Sequence, residues 1–350
     1  MGGEMTKAML YASLVLIFGI GNGLSSAVSA ETVEEFYKKN DITLVVGAKA
    51  GGGADFYARQ FVPFWEKHIP GKPKIIVKNL GGAGGMKAAI QMETAAPKDG
   101  TQVTMLLRTN TYFPLVSAKK LKFNPPKANW LGSLNKEIYT VAVMTRAGVN
   151  SFEDLKSKSV KMGATAFSND NRVLPAMLNE YLGTKLDIVT GYKGAKQMTL
   201  ALERGEIDGR MLPVDNLTGY GNEAPFLKDG RIKVVLQTAI KSSPLFPDVP
   251  NMFDYIKDPA VRELAEFLLL AHDAGRPFAA PEGIPQDRLA ALRKAFMDAA
   301  TDPEYIAAMK KVANEPSPIS GEEVQAIVTK LYSAPESVLA KVRPLVNAPE

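Results

Sequence analysis

Two glycine clusters stand where backbone chemistry could be done. "AKAGGGADFYARQF" (48–61) puts Gly51, Gly52 and Gly53 after an apolar run and before an amphipathic stretch, and "KNLGGAGGMKAA" (78–89) repeats the arrangement with Gly81, Gly82, Gly84 and Gly85. A glycine-rich strand-to-helix turn lets an anion rest on the unpaired first amides of a helix, beside about half a positive charge. Phosphate is the first anion to test. A P-loop would end in Gly-Lys-Ser/Thr, and neither cluster does; a dinucleotide fingerprint would need glycine where Phe56 and Lys87 stand. Both phosphate readings fail. What remains is close approach of the backbone to another ligand, or glycine used only to pack a helix tightly on a strand.

Catalytic groups are scarce. The chain has no cysteine and only His68 and His272, which excludes thiolate chemistry, disulfides and Cys-type zinc sites, and it lacks a Gly-x-Ser-x-Gly elbow. His68 falls near the end of the first amphipathic stretch, where a helix dipole favours positive charge. His272, in "LLLAHDAGRPF", has Asp273 beside it as a hydrogen-bond partner but no nucleophile in reach. Carboxylates show no paired spacing. Lys49, Arg108 and Arg172 are the candidate cations for an anionic ligand. No metal and no cofactor is called for. The net charge of +5 is spread along the chain, which gives no nucleic-acid stripe and at most favours an anion.

The elements that must carry these residues alternate. "ITLVVG" reads as a strand, 55–68 as a helix, "KIIVKN" as a strand, 85–94 as a helix and "TQVTMLL" as a strand, a parallel βαβαβ start. Tyr57, Phe61, Phe64 and Trp65 recur at helical spacing and are expected to bury one face on the sheet. A loose stretch, 113–129, leads to the apolar run "YTVAVMTRAG" (139–148). A second alternating block then opens with the capping box "SFED" (151–154), followed by strand "VKMGATA", helix "NRVLPAMLNEYLG", strand "LDIVTGY", a helix over 195–204 and strands "IDGRML" and "IKVVLQTA". "SSPLFPDVP" is expected to be a surface loop. The last third holds three helices, starting near Pro285, Thr301 and Ser320, that are expected to return and cover the first domain.

At 350 residues, two domains are expected. Residues 1–30 read as a signal peptide: Lys7, the apolar run "AMLYASLVLIFGI" (8–20), then small residues with Val28 and Ala30 at the −3 and −1 positions. That run is shorter than the roughly 20 residues a membrane-spanning helix needs. Removing it takes away one lysine and one glutamate and leaves the charge at +5.

In order along the chain, "GAKAGGGADFYAR", "KNLGGAGG", "AAPKDG" (95–100), "GYKGAKQMTLALERGEIDG", "PDVP" (247–250) and "GRPFAAPEGIP" resemble motifs of the solute receptors of tripartite tricarboxylate transporters, the Bug receptors. The family patterns are Pro-Phe-x-Pro-Gly-Gly-Gly-Thr-Asp for the first stretch and Glu-Asn-x-Pro-Gly-Ala-Gly-Gly for the second. The resemblance runs from about Ile42 to Leu345. It implies an α/β, two-lobe periplasmic binding protein of type II, a Venus flytrap with its ligand cleft between the lobes: residues 31–142 plus 271–350 form lobe 1, and 143–270 form lobe 2.

It further implies a monomeric receptor, not an enzyme, that closes on a small organic carboxylate and passes it to membrane transporter subunits. Main-chain amides of Ala50, Gly51, Gly52, Gly53, Ala54 and Asp55 would hold the ligand, with Gly84 of the second cluster nearby. The second lobe would add Thr165, Ala166, Ser168, Asn169, Asp170, Tyr192, Lys193, Gly194 and the neighbourhood of Asp215. Lys49 and Arg108 would be the cation partners, while Asp55 would cap amides and shape the loop. The chain departs from the family at Ala48, Lys49, Ala50 and Ala54, the last replacing a threonine, and in the loop "ATAFSNDNR". Two other readings are a receptor-like sensor that presents a carboxylate to a signalling partner and an exported anion-using enzyme.

Overall fold

Alternating apolar segments joined by glycine turns build two sheets. The computed structural model describes residues 31–219 and 221–348, so the signal-peptide expectation lies outside the described residues. The strands are β1 (Ile42–Val46), β2 (Ile75–Asn79), β3 (Gln102–Met105), β4 (Asn129–Ser133), β5 (Tyr139–Met144), β6 (Val160–Gly163), β7 (Leu186–Val189), β8 (Gly209–Pro213), β9 (Ile232–Thr238), β10 (Pro277–Ala280) and β11 (Ile319–Ser320). The first sheet runs β2-β1-β3-β10-β4-β11 and the second β7-β6-β8-β5-β9. In each, three parallel strands from one half of the chain are completed by an antiparallel strand arriving by a crossing, β10 against β3 and β5 against β8. This is the α/β two-lobe architecture expected. Residues from Val33 onward pack as one unit.

The helix Gly53–His68 lays its aromatic stripe on the first sheet. Tyr57, Phe61 and Trp65 are fully buried, with Phe61 5.0 Å from Phe296 and 5.8 Å from Phe278, ring centre to ring centre. These three are core, as their spacing implies, whereas Phe64 is only half-buried, its ring 5.5 Å from that of Tyr305. His68, at the end of this helix, lies 2.9 Å from Asp302. Asp302 caps the C-terminal helix Pro303–Lys310, in place of the expected Thr301, because Pro303 occupies the first helical position and fixes the cap one residue later.

The motif "GRPFAAPEGIP" contains β10. Pro277 lacks an N–H but stands at the strand's start, where its carbonyl accepts from Leu106 N–H at 2.9 Å. The three expected C-terminal helices do return to the first sheet's side: Gln286–Ala300 packs on β4 and on the helix Gly53–His68, Pro303–Lys310 on that same helix, and Gly321–Tyr332 on β4. A fourth helix, Glu336–Val346, which the sequence reading leaves unassigned, turns Val338, Leu339, Val342 and Leu345 into the cluster of Val173, Leu174 and Leu264, on the second sheet's side.

Candidate functional site

The loops that leave the carboxyl ends of β1, β2, β3, β6, β7 and β8 converge on one cleft of about 730 Å³. Such ends are where open α/β sheets place ligands.

The triglycine loop is held from within. Gly51 adopts φ +79°, open to glycine but unfavourable for other residues, and its N–H donates to Asp55 Oδ2 at 2.9 Å. Asp55 Oδ1 takes Arg59 Nε at 2.9 Å. Although burial works against its charge, these partners hold the Asp55 carboxyl below the ordinary carboxylate range. Asp55 therefore shapes the loop, and it lines a smaller recess of about 240 Å³ beside the main cleft. Gly52 is the N-cap of the helix and offers no side chain to its first amides. Lys49, Ala50, Gly51, Gly52, Gly53 and Ala54 all line the main cleft.

The second glycine cluster has a different use. A Cβ on Gly81 would stand 3.0 Å from Lys49 N, so this loop backs the first. Gly84 (φ +63°) lets the second half of the molecule approach: a Cβ there would lie 2.4 Å from Ser168 Oγ and 2.9 Å from Asn169 Oδ1. Gly84 lines the cleft, while Ser168, buried against it, does not.

From the second sheet, Thr165, Ala166, Asn169 and Asp170 line the cleft at the start of the helix Asp170–Leu182, and Tyr192, Lys193 and Gly194 at the start of the helix Ala195–Arg204. Asn169 Nδ2 donates to Thr165 Oγ1 at 2.7 Å, and Thr165 N–H donates to Asn171 Oδ1 at 3.2 Å. Asp215 is outside the cleft lining. Its Oδ2 accepts from Tyr57 OH at 2.5 Å and from Asn314 Nδ2 at 3.1 Å, a tie between the triglycine helix and the second sheet. Arg172 donates to Leu345 O and stacks on Phe167 at 4.7 Å, away from the cleft lining.

Arg108 lines the cleft floor only 5% exposed, but its guanidinium is taken by the chain's own acids. Its Nε lies 2.7 Å from Asp170 Oδ2, and it pairs with Glu137 and bonds Tyr139 OH. Glu137 also pairs with Arg276, whose guanidinium lies over the Tyr57 ring at 4.7 Å. His272 Nε2 lies 3.2 Å from Asp170 Oδ1, so its acidic partner is Asp170, 102 residues away, rather than the adjacent Asp273. Burial alone would raise the Asp170 carboxyl, yet Arg108 and His272 hold it at about 2. The residues missing from the sequence reading include Arg276 and Arg210, both cleft-lining and both 5% exposed or less. Each sits inside a stretch that draws attention for another reason, "GRPFAAPEGIP" and "IDGRML", and the signal available is an isolated arginine within an apolar strand for Arg210 and directly before one for Arg276.

Asp170 gives a pH dependence of known sign. Its folded value of about 2 lies below the ordinary 3.8, so its contribution is complete above about pH 4 and is lost as pH falls towards 2. Urea denaturation across that window should show about 2 kcal/mol disappearing from the wild type. Asp170→Asn should be weaker at neutral pH and should lack that component of the acid slope.

Comparison with known proteins agrees with the geometry. The family model described as "Tripartite tricarboxylate transporter family receptor" matches residues 67–333, beginning at the end of the helix Gly53–His68. A UPF0065 protein of Cupriavidus necator, encoded in the gbd 5′ region, is 22% identical over 323 residues, covering 91% of this chain and 92% of its own length. Among solved structures, the periplasmic binding protein BugD superposes with a TM-score of 0.71 at 20% identity, covering 88% of this chain and 98% of BugD. Rpa4515 of R. palustris, solved with adipate, gives 0.70 at 18% identity, covering 87% and 97%. At these identities the structures speak for the fold alone. With well over half its length matched by the family model, and with the cleft formed at the strand ends of two sheets, the chain belongs to the tripartite tricarboxylate transporter receptor family.

Proposed function

We propose that the protein is a periplasmic solute receptor that binds a small organic carboxylate in the cleft, closes on it, and presents it to the membrane subunits of a tripartite tricarboxylate-type transporter. Export through the 1–30 leader and action as a monomer are part of this reading. The observation that carries it is the pair of helix starts at Gly52 and Gly194. Both are capped by glycine with no side-chain acceptor, and both open on one cleft. Each start offers orphan amides and a positive dipole end, which a carboxylate answers with charge as well as with acceptor oxygens, where a neutral solute brings acceptors alone. Charge-assisted hydrogen bonds contribute on the order of 1.5 to 3 kcal/mol each, enough for a few of them to favour the closed state. That Rpa4515 was solved with adipate and shares the fold supports a carboxylate as ligand.

Thermal melting with aliphatic, aromatic and amino-acid carboxylates tests the reading. At ligand 100-fold above its Kd the fold gains about 2.7 kcal/mol, and the melting temperature should rise by several degrees with no consumption of ligand. A panel of succinate, adipate, terephthalate, benzoate and glutamate that leaves the melting temperature unmoved would overturn it.

A further inference from the structure

Three consecutive glycines give a backbone with many accessible conformations, so something must hold Gly51, Gly52 and Gly53 in one of them. Packing does not. A Cβ on Gly51 would meet nothing within 4 Å, and one on Gly52 would meet only Lys49 O, at 3.6 Å, so no neighbouring side chain pins these two positions. Hydrogen bonds do, and they run through two residues that stand behind the loop.

Asn79, the last residue of β2, donates through Nδ2 to Ala48 O at 3.1 Å, and its Oδ1 accepts from Arg59 Nη2 at 3.2 Å. Arg59, one turn beyond Asp55 in the helix, gives Nε to Asp55 Oδ1 at 2.9 Å, while Asp55 Oδ2 accepts from Gly51 N–H at 2.9 Å. The bonds close a ring that grips the loop at both shoulders, Ala48 on the strand side and Gly51 on the helix side. One orientation of the Asn79 amide satisfies both neighbours; the reverse would set donor against guanidinium and acceptor against carbonyl. Neither Arg59 nor Asn79 lines the main cleft. The Arg59 side chain is half exposed, and a helix ion pair of that exposure adds little to stability. Its distinctive asset is the fork that reaches Asp55 and Asn79 at once, which a lysine does not reproduce.

Resting on the receptor reading, we infer that Arg59 and Asn79 are positioning residues for ligand binding: through Asp55 and Ala48 they order the triglycine backbone in advance in the conformation that receives the ligand. A loop ordered beforehand spares the ligand the entropy of ordering it. Affinity then depends on two side chains outside the cleft.

Arg59→Lys and Asn79→Ala test this without changing net charge. For whichever of succinate, adipate, terephthalate, benzoate and glutamate binds, calorimetric titration should show each variant about tenfold weaker than wild type. The double variant should be only slightly weaker than the worse single one, since both break one chain of bonds. The urea midpoint should stay close to that of wild type. Without ligand, the Gly51 amide should exchange its hydrogen about tenfold faster in both variants, while the amides of Phe61 and Trp65, deeper in the same helix, keep their rates. Lys294→Gln breaks an exposed i,i+4 pair with Asp298 on another helix, and should leave affinity and Gly51 exchange unchanged. Variants that bind as tightly as wild type, or an unchanged Gly51 exchange rate, overturn the positioning role alone. A wild type that binds none of the five carboxylates overturns the receptor reading, and the role in binding with it.

Discussion

Gly52→Asp should abolish carboxylate binding while making the fold slightly more stable. Gly52 is the N-cap of the helix Gly53–His68 at φ −97° and ψ 175°, a conformation any residue adopts and the one in which aspartate caps best. A Cβ there meets only Lys49 O, at 3.6 Å, so the side chain fits. The new carboxylate would accept from the first-turn amides and face the positive end of the dipole, which contributes from a few tenths to about 1 kcal/mol. Those are the amides assigned to the ligand. A tethered anion on them displaces the ligand and repels whatever approaches, so affinity should fall at least about 100-fold, or about 2.7 kcal/mol. Gly52→Ser caps without charge and should lose less. Urea denaturation and calorimetric titration read the two effects with opposite signs. Wild-type affinity in Gly52→Asp would remove these amides from the site.

Glu137→Ala should be the most damaging change to the fold beneath the cleft. The Glu137 side chain is fully buried between the guanidinium groups of Arg108 and Arg276, themselves 7% and 6% exposed at the side chain. Removing one partner of a buried ionic group leaves uncompensated charge and typically destabilises by about 3 to 5 kcal/mol. Here two arginines lose it at once, though Asp170 still faces Arg108. Glu137→Gln keeps the shape and an acceptor oxygen and should lose less. The check is the urea midpoint at pH 7 with an unchanged slope. If both variants stay within about 1 kcal/mol of wild type, the cluster is not what holds the floor together.

What the sequence disclosed, and what it hid, divides by range. Period-two apolar runs and glycine turns located β1, β2, β3, β6 and β7, and the Tyr57, Phe61, Trp65 spacing identified a buried face, because those signals are local. Ser320 with Glu323 reads as a capping box and forms one. The helices Pro259–Leu270 and Glu336–Val346 went unassigned although Val261, Leu264, Ala265 and Leu268 have helical spacing, since they sit among prolines and loops that break the pattern. Site electrostatics were hidden for a stronger reason. Whether Arg210 faces the cleft depends on strand register, Arg210 opposite Ala142 in the β8–β5 pair. That Asp170 answers both Arg108 and His272 depends on three segments meeting from 62 and 102 residues away in sequence. Arg108 looked available as a free cation because no local feature shows the acids that take it.

The hydrophobic cluster on the second sheet's side is not private to that sheet. Tyr112 and Val116 reach it from the segment after β3, and Leu331, Val338, Leu339, Val342 and Leu345 reach it from the C-terminal helices. Interdigitated side chains of this kind permit sliding more readily than separation. Each square ångström of apolar surface drawn apart costs about 25 cal/mol. Drawing the halves apart would therefore expose apolar surface at this shared core, whereas the mouth, where Lys49, Lys193 and Lys196 stand, contributes nothing to the cluster.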